Sequence, residues 1–246
     1  MPRDTLTSEQ IVSAAIDLLD RDGLEGLNMR ALGQRLGSAA TAVYWHVGSK
    51  DNLIALAADR VWNEIGRPDP AAVGWRAAAA EMAVDLHAML TRHPWLVQAF
   101  GSQVLYGPGK AGHDDHGLAV YEAAGFTPAQ ADRAAATVFT FVLGHALGTA
   151  ATISLTRRLG RDGADGSERL RARMAEVREI GARFPRLRAR LGTAAAGYGA
   201  APEASFEFGS RPSSTAWRPS SRAADDRGLP RAWPHPWCSC ALCMLP

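Results

Sequence analysis

Apolar positions recur along this chain with the period of a helix, and no alternation persists long enough to build a sheet. Ile11, Ala14, Ala15, Leu18 and Leu19 fall at i, i+3, i+4, i+7 and i+8, which makes them one face of a first helix. Thr7 with Gln10 three positions later is a capping-box start, and Gly23 is the expected stop. Asn28 caps a short second helix over 29–36, ended by Gly37, and a third covers 39–46. Ser49 caps a fourth, whose stripe is Leu53, Ile54, Ala57, Val61 and Ile65. Gly66-Arg67-Pro68-Asp69-Pro70 then interrupts the pattern and separates an N-terminal unit, 1–66, from a larger one, 67–208.

In the larger unit a long helix is expected over 73–93, with Met82, Leu86, Met89 and Leu90 inward, then a short one over 94–100. Residues 101–112 read as a glycine-containing loop and 115–124 as a helix closed by Gly125. Thr127-Pro128-Ala129-Gln130 combines cap, first-turn proline and third-position glutamine, and the helix it opens should reach Leu155. Val138, Phe139, Phe141, Val142, Leu143, Ala146 and Leu147 cover most of that helix's circumference, so it needs burial by its own domain and by something else. An arginine-rich pair of helices ends near Leu191. The fold class is all-α.

Residues 209–246 depart from this pattern. After Gly209 come six prolines, six serines, three tryptophans and all three cysteines, with no valine or isoleucine, so no periodic face exists to bury. The segment is expected to be an atypical, disordered tail. A reading-frame shift near Gly209 would produce so abrupt a change, and it would leave "APEASFEFG" as the truncated opening of a final helix.

With 47% hydrophobic residues the chain can build a core, and a body without cysteine has no disulfide framework. No apolar run is read as approaching the ~20 residues of a membrane span, and no signal core follows Met1, so a cytoplasmic protein without a membrane partner is expected. The net charge of +2 is uninformative, but its distribution is not. From Gly26 to Lys50 there is no acidic residue, while Arg30, Arg35, His46 and Lys50 all lie there; Asp17, Asp20, Asp22, Glu25 and Asp51 flank the stretch. Two short helices joined at a glycine, with a cationic surface, form a helix-turn-helix pattern. The second begins with Ser38, Ala39, Ala40, Thr41 and Ala42, small enough to let its backbone approach base edges in a groove ~12 Å wide. Tyr44, His46 and Lys50 can then reach sugar-phosphate oxygens. Trp45 could pack in the core or face the nucleic acid.

The stretch "GLEGLNMRALGQRLGSAATAVYWHVGSKDNLI" resembles the DNA-binding region of the tetracycline-repressor (TetR) family, and residues 67–208, including "GFTPAQADRAAATVFTFVLGHALG", are similar to that family's ligand-binding domain. The resemblance implies a three-helix helix-turn-helix domain followed by a helical ligand-binding and dimerisation domain. It implies a homodimeric repressor that leaves a palindromic double-stranded DNA operator when a small molecule binds, with no catalytic residues. Base contacts are implied for Arg30, Ala40, Thr41 and Ala42, and backbone contacts for Asn28, Tyr44, His46 and Lys50. An effector pocket is implied with walls from Met82, Leu86, Phe100, Gln103, His116 and Phe139. The positions where tetracycline binders hold His, Asn, His and an acid carry Gly66, Met82, Phe100 and Gly148, so the pocket is expected to be apolar and to take a hydrophobic or aromatic molecule rather than a metal chelate.

Other patterns favour plain readings. His113-Asp114-Asp115-His116 has metal-ligand chemistry, but adjacent loop residues rarely converge on one ion, so no metal is expected. Gly107-Pro108-Gly109-Lys110 lacks the Ser or Thr and the strand of a phosphate loop and reads as a turn. His87 and His145 suit a core better than a ligand contact. No cofactor is implied, and no nucleophile–base pair can be assembled into an enzyme. The rival reading is a helical small-molecule-binding or dimerisation protein whose altered C-terminus impairs operator binding.

Overall fold

The computed structural model describes residues 6–192 and Phe206; the tail 209–246 and the frame-shift reading fall outside them. Among the described residues every regular element is helical. α1 (Ser8–Gly26) starts at the predicted capping box, with both Thr7 and Gln10 making their reciprocal bonds. Gly23 is a kink (φ 73) rather than a stop, and one further turn follows it. α2 (Met29–Arg35), α3 (Ala40–Val47) and α4 (Lys50–Val61) complete the N-terminal unit, and a 3₁₀ turn, Trp62–Glu64, leads out of it. Ile11, Ala15, Leu18 and Leu19 of α1 meet Leu32, Val43, Val47, Leu53, Ala57 and Val61 in one core. Truncating a fully buried leucine such as Leu32 to alanine costs about 2–5 kcal/mol, so this small domain depends on each of them.

The second unit begins with the single turn α5 (Pro70–Val73), capped by Asp69, and Gly74 separates it from α6 (Trp75–Arg92), which therefore starts later than the apolar pattern alone indicates. α7 (Pro94–Ala99), α8 (Pro108–Ala123) and α9 (Pro128–Leu159) follow, then α10 (Gly166–Gly181) and the turn α11 (Pro185–Arg188). Phe206 is buried and helical, stacked on His87 of α6 at 4.1 Å and packed near Phe141 and His145 of α9. Both histidines thus sit in side-chain packing.

α9 outruns its expected end by one turn and is apolar enough to correct the statement that no membrane-length run exists. Its most apolar 18-residue window has a mean hydropathy of 1.6. Thr, Gly and His punctuate the run and hide it from inspection, yet residues 134–156 carry no Asp, Glu, Lys or Arg. The helix packs on α6, α7, α8 and α10, which occupy one side of it. Ala131, Ala134, Val142, Ala146 and Ala150 are buried there, whereas Leu147 and Leu155 stay exposed on the other side.

The largest departure from the pattern is α8. It starts at Pro108 rather than 115, so the expected loop-and-turn at 107–112 is helix, and His113 to His116 are helical residues. Proline suits a first helical position, but no local side chain caps Gly107. The cap comes from Asp59 of α4, whose Oδ1 accepts from the N–H groups of Gly109 (2.8 Å) and Lys110 (3.2 Å). Gly109 is required there, because a Cβ would lie 2.3 Å from the Asp59 carbonyl oxygen. A donor-acceptor pair separated by fifty positions leaves no local sequence signal.

Asp59→Ala should remove this cap and lower the unfolding free energy by about 1–2 kcal/mol, whereas Asp59→Asn should keep most of it. Urea unfolding followed by tryptophan fluorescence checks both.

Candidate nucleic-acid interface

Two valines orient α3. Val43 and Val47 are buried in the N-terminal core. At 100° per residue this turns Thr41 and Trp45 to the opposite side, one above the other. Thr41 is exposed, Tyr44 is 45% exposed and Trp45 84%, so Trp45 stands in solvent and not in the core. The Trp45 indole meets the His46 ring edge-on at 5.0 Å.

The turn between α2 and α3 closes tightly. The Ser38 N–H donates to the Gly33 carbonyl at 2.8 Å, and a Cβ on Gly33 would lie 2.8 Å from the Ser38 carbonyl oxygen, so a side chain there would push the two helices apart. Thr7, Asn28 and Ser49 cap α1, α2 and α4, but no side chain caps α3 at Ala39. Its first-turn N–H groups carry the positive end of the helix dipole and are free of side-chain partners, an arrangement suited to phosphate.

The other predicted contact residues are distributed around this end. Asn28 accepts from the Arg30 N–H at 2.9 Å, and Arg30 is exposed with no ion pair among the described residues. Ala40, Ala42 and His46 are half-buried. Lys50 Nζ donates to the Leu24 carbonyl at 3.2 Å, fastening α4 to the end of α1. Arg35 pairs with Asp17 at 2.8 Å, so its charge is partly neutralised from α1.

A cavity of about 390 Å³ opens between α6, α8 and α9. Met82, Leu86 and Phe139 line it, as do Val120, Val138 and Tyr121. Phe100, Gln103 and His116 are not in its wall. Phe100 packs against Trp62 and Phe139 from behind, and the His116 ring bonds to the Pro68 carbonyl at 3.0 Å. The wall is less apolar than expected, because the early start of α8 brings in Lys110, His113 and Asp114, and Tyr106 and Asp132 stand there too. His113, Asp114 and His116 face different neighbours: Trp62, Lys110 and Pro68.

Known proteins carry the same two halves. Residues 11–57 match the family described as bacterial regulatory proteins, tetR family, and residues 67–211 match the tetracyclin repressor-like C-terminal domain. An HTH-type transcriptional regulator of Saccharopolyspora erythraea is 36% identical over 182 residues, 73% of this chain and 75% of that one. The chain belongs to the TetR family. It is a DNA-binding transcriptional regulator responsive to a small molecule, from a family of regulators rather than enzymes. Among solved structures it is similar to ActR of Streptomyces coelicolor in complex with actinorhodin (TM-score 0.66, 25% identity, 85% of this chain and 93% of that one). It is also similar to BioQ with its double-stranded DNA operator (TM-score 0.52, 26% identity, 64% of this chain and 97% of that one).

In this TetR-family chain the two domains meet at a polar junction that no sequence pattern announces. His93, between α6 and α7, is 3% exposed. Its Nδ1 lies 2.7 Å from Asp20 of α1 and its Nε2 3.0 Å from Glu64 after α4. Asp20 Oδ1 also accepts from Trp95 Nε1 at 2.8 Å, and the Asp20 carbonyl accepts from Arg157 of α9. With a carboxylate at each ring nitrogen, both must donate, so the ring is an imidazolium. Burial alone would lower the His93 pKa; the Asp20 hydrogen bond and the charges of Asp20 and Glu64 outweigh it and raise the value above 6.5.

A raised folded-state pKa adds stability that is complete below the unfolded value and fades as pH climbs through the folded one. His93→Gln should therefore cost about 1–3 kcal/mol near pH 6, and the gap from the parent should shrink as pH rises toward 9. Urea midpoints of both proteins across that range provide the check.

Proposed function

We propose that this chain is a homodimeric repressor whose two α3 helices read a palindromic operator and whose affinity for it falls when a small molecule fills the cavity between α6, α8 and α9. One observation carries the reading: α3 presents an uncapped N-terminus together with outward Thr41 and Trp45, on a domain that Asp59 bonds to the first turn of a cavity-lining helix. A single eight-residue helix reads few base pairs, so useful specificity calls for two copies about 34–36 Å apart. The apolar side of α9 left exposed at Leu147 and Leu155 is the surface through which a second copy docks. ActR with actinorhodin and BioQ with its operator supply the precedents for a bound ligand and bound DNA.

Coupling runs through groups already described. Lys110, His113 and Asp114 line the cavity from the first turns of α8, and Asp59 ties those turns to α4 of the reading domain. A ligand that displaces α8 moves α4, and with it the spacing of the two reading helices. It weakens DNA binding only by its preference for the displaced form. In the reading domain, Arg30, Ala40, Thr41 and Ala42 are assigned to bases, and Asn28, Tyr44, His46 and Lys50 to the sugar-phosphate backbone.

Gel shifts with a duplex bearing the inverted repeat from the chain's own promoter test this. The parent should bind specifically, with affinity falling steeply as salt rises. Arg30→Ala should lose about 1–3 kcal/mol on that duplex and discriminate less against altered half-sites. Lys50→Ala should weaken binding to all sequences alike and reduce the salt slope by about one. Equal, weak binding of the parent to every duplex would sink the proposal.

A further inference from the structure

We infer a second ligand site in the cleft where the end of α1 meets α7 and the end of α9. It takes a compact small molecule that carries two or more phosphate or carboxylate charges and no aromatic ring. The cleft encloses about 580 Å³ and is separate from the cavity between α6, α8 and α9, so its occupant does not depend on what that cavity binds. Its wall draws on both domains. Arg21 and the backbone of 23–26 come from the reading domain, Gln98, Ser154, Arg157 and Arg158 from the other, and Arg161 from the turn after α9.

Charge sets the class of ligand. Four arginines stand against two carboxylates, Asp22 and Glu25, in this wall. Arg21 takes Asp22, its Nε and Nη2 donating at 2.9 and 2.7 Å, and Arg161 pairs with Glu25. Both are solvent-exposed pairs of the kind that contribute little, so a multiply charged anion can share their guanidinium groups. Arg158 is exposed and makes no hydrogen bond or ion pair with any described residue. Arg157 is held in place by its bond to the Asp20 carbonyl and keeps further donors. A Cβ on Gly23 would lie 3.0 Å from Arg157 Nη1, so the glycine at φ 73 lets that guanidinium lie against the α1 backbone. Guanidinium groups grip phosphate and carboxylate oxygens in pairs, which favours such oxyanions over a simple halide.

α1 and α9 both end beside the cleft, and free C-terminal carbonyls would repel an anion. The carbonyls there have donors of their own. Leu24 accepts from Lys50 Nζ at 3.2 Å, Thr156 and Arg157 accept from the Gly160 N–H, and Leu159 accepts from Arg169 at 2.8 Å. Leu24 is the one large apolar side chain among the described residues of the wall, and no ring lines it. A base or other aromatic group therefore has nothing to stack on.

Calorimetry on the full chain, at pH 7.5 and fixed ionic strength, tests this with pyrophosphate, citrate, acetate and adenosine diphosphate. Pyrophosphate or citrate should bind at one site per chain and acetate should not; the tighter of the two tells which oxyanion the cleft prefers. Adenosine diphosphate should bind no tighter than pyrophosphate. Arg158→Gln should weaken the polyvalent anion about tenfold. It should unfold at the parent's urea midpoint, because the arginine it replaces is exposed and unpaired. Arg173→Gln, on the exposed surface of α10, removes the same charge and should leave the affinity unchanged. No binding by either polyvalent anion, equal losses in the two variants, or a tighter adenosine diphosphate overturns the inference. Gel shifts separate the cleft from the DNA interface. Arg158→Gln should bind duplex as the parent does at matched salt, and a loss of DNA affinity assigns this arginine to the DNA backbone and overturns the small-molecule site.

Discussion

The arrangement of the two domains depends on one buried cation held between carboxylates from separate stretches of chain. His93 can be charged inside the protein only because Asp20 and Glu64 meet its two ring nitrogens. Alone in that place the imidazolium would be expelled or neutralised by the cost of desolvation. Each carboxylate belongs to the reading domain and the histidine to the seam between α6 and α7, so satisfying the charge fixes how the domains are set together. Arg157 reaches the Asp20 backbone carbonyl from the far end of α9 and Arg92 pairs with the Glu64 carboxylate, so the effector domain holds both residues by further bonds. The Asp59 cap on α8 adds a second, independent attachment.

This rigidity makes sense of a reading helix that is weak by itself. α3 has eight residues and no side-chain cap, far short of what is stable in water. It persists because Val43 and Val47 are locked against α1, α2 and α4, and the close approach at Gly33 fixes its angle. The features that weaken it locally are those that leave its N–H groups and its outward side chains available for contact. Foldedness is supplied from the neighbours, and the helix's outward residues Thr41 and Trp45 are left in solvent.

α9 shows the same division of labour on a larger scale. Small residues on its inner side let α6, α7, α8 and α10 pack closely, while Leu147 and Leu155 remain for an outside surface. A helix apolar on both sides needs two partners. Its length and composition would also suit a bilayer; here α6, α7, α8 and α10 pack against it.

Local chemistry in the sequence was enough for the helices with a near-neighbour signature. Thr7–Gln10, Asn28, Ser49 and Thr127–Gln130 marked helix starts because a cap acts within three residues. The spacing of valines and leucines likewise predicted which faces are buried, since helical periodicity is a property of adjacent turns. The acid-free run from Gly26 to Lys50 likewise marked the helix-turn-helix stretch, because it lies within one window of sequence. What the tertiary structure alone decided involves partners far apart along the chain. Asp59 starts α8 early and so places Lys110, His113 and Asp114 in the cavity. The core that α1, α2 and α4 build around Val43 and Val47 settles Trp45 outward, Asp17 takes up Arg35, and Asp20 with Glu64 make a charged clasp of an apparently ordinary histidine. Such contacts are set by how helices pack in space, and no window of sequence contains both halves of any of them.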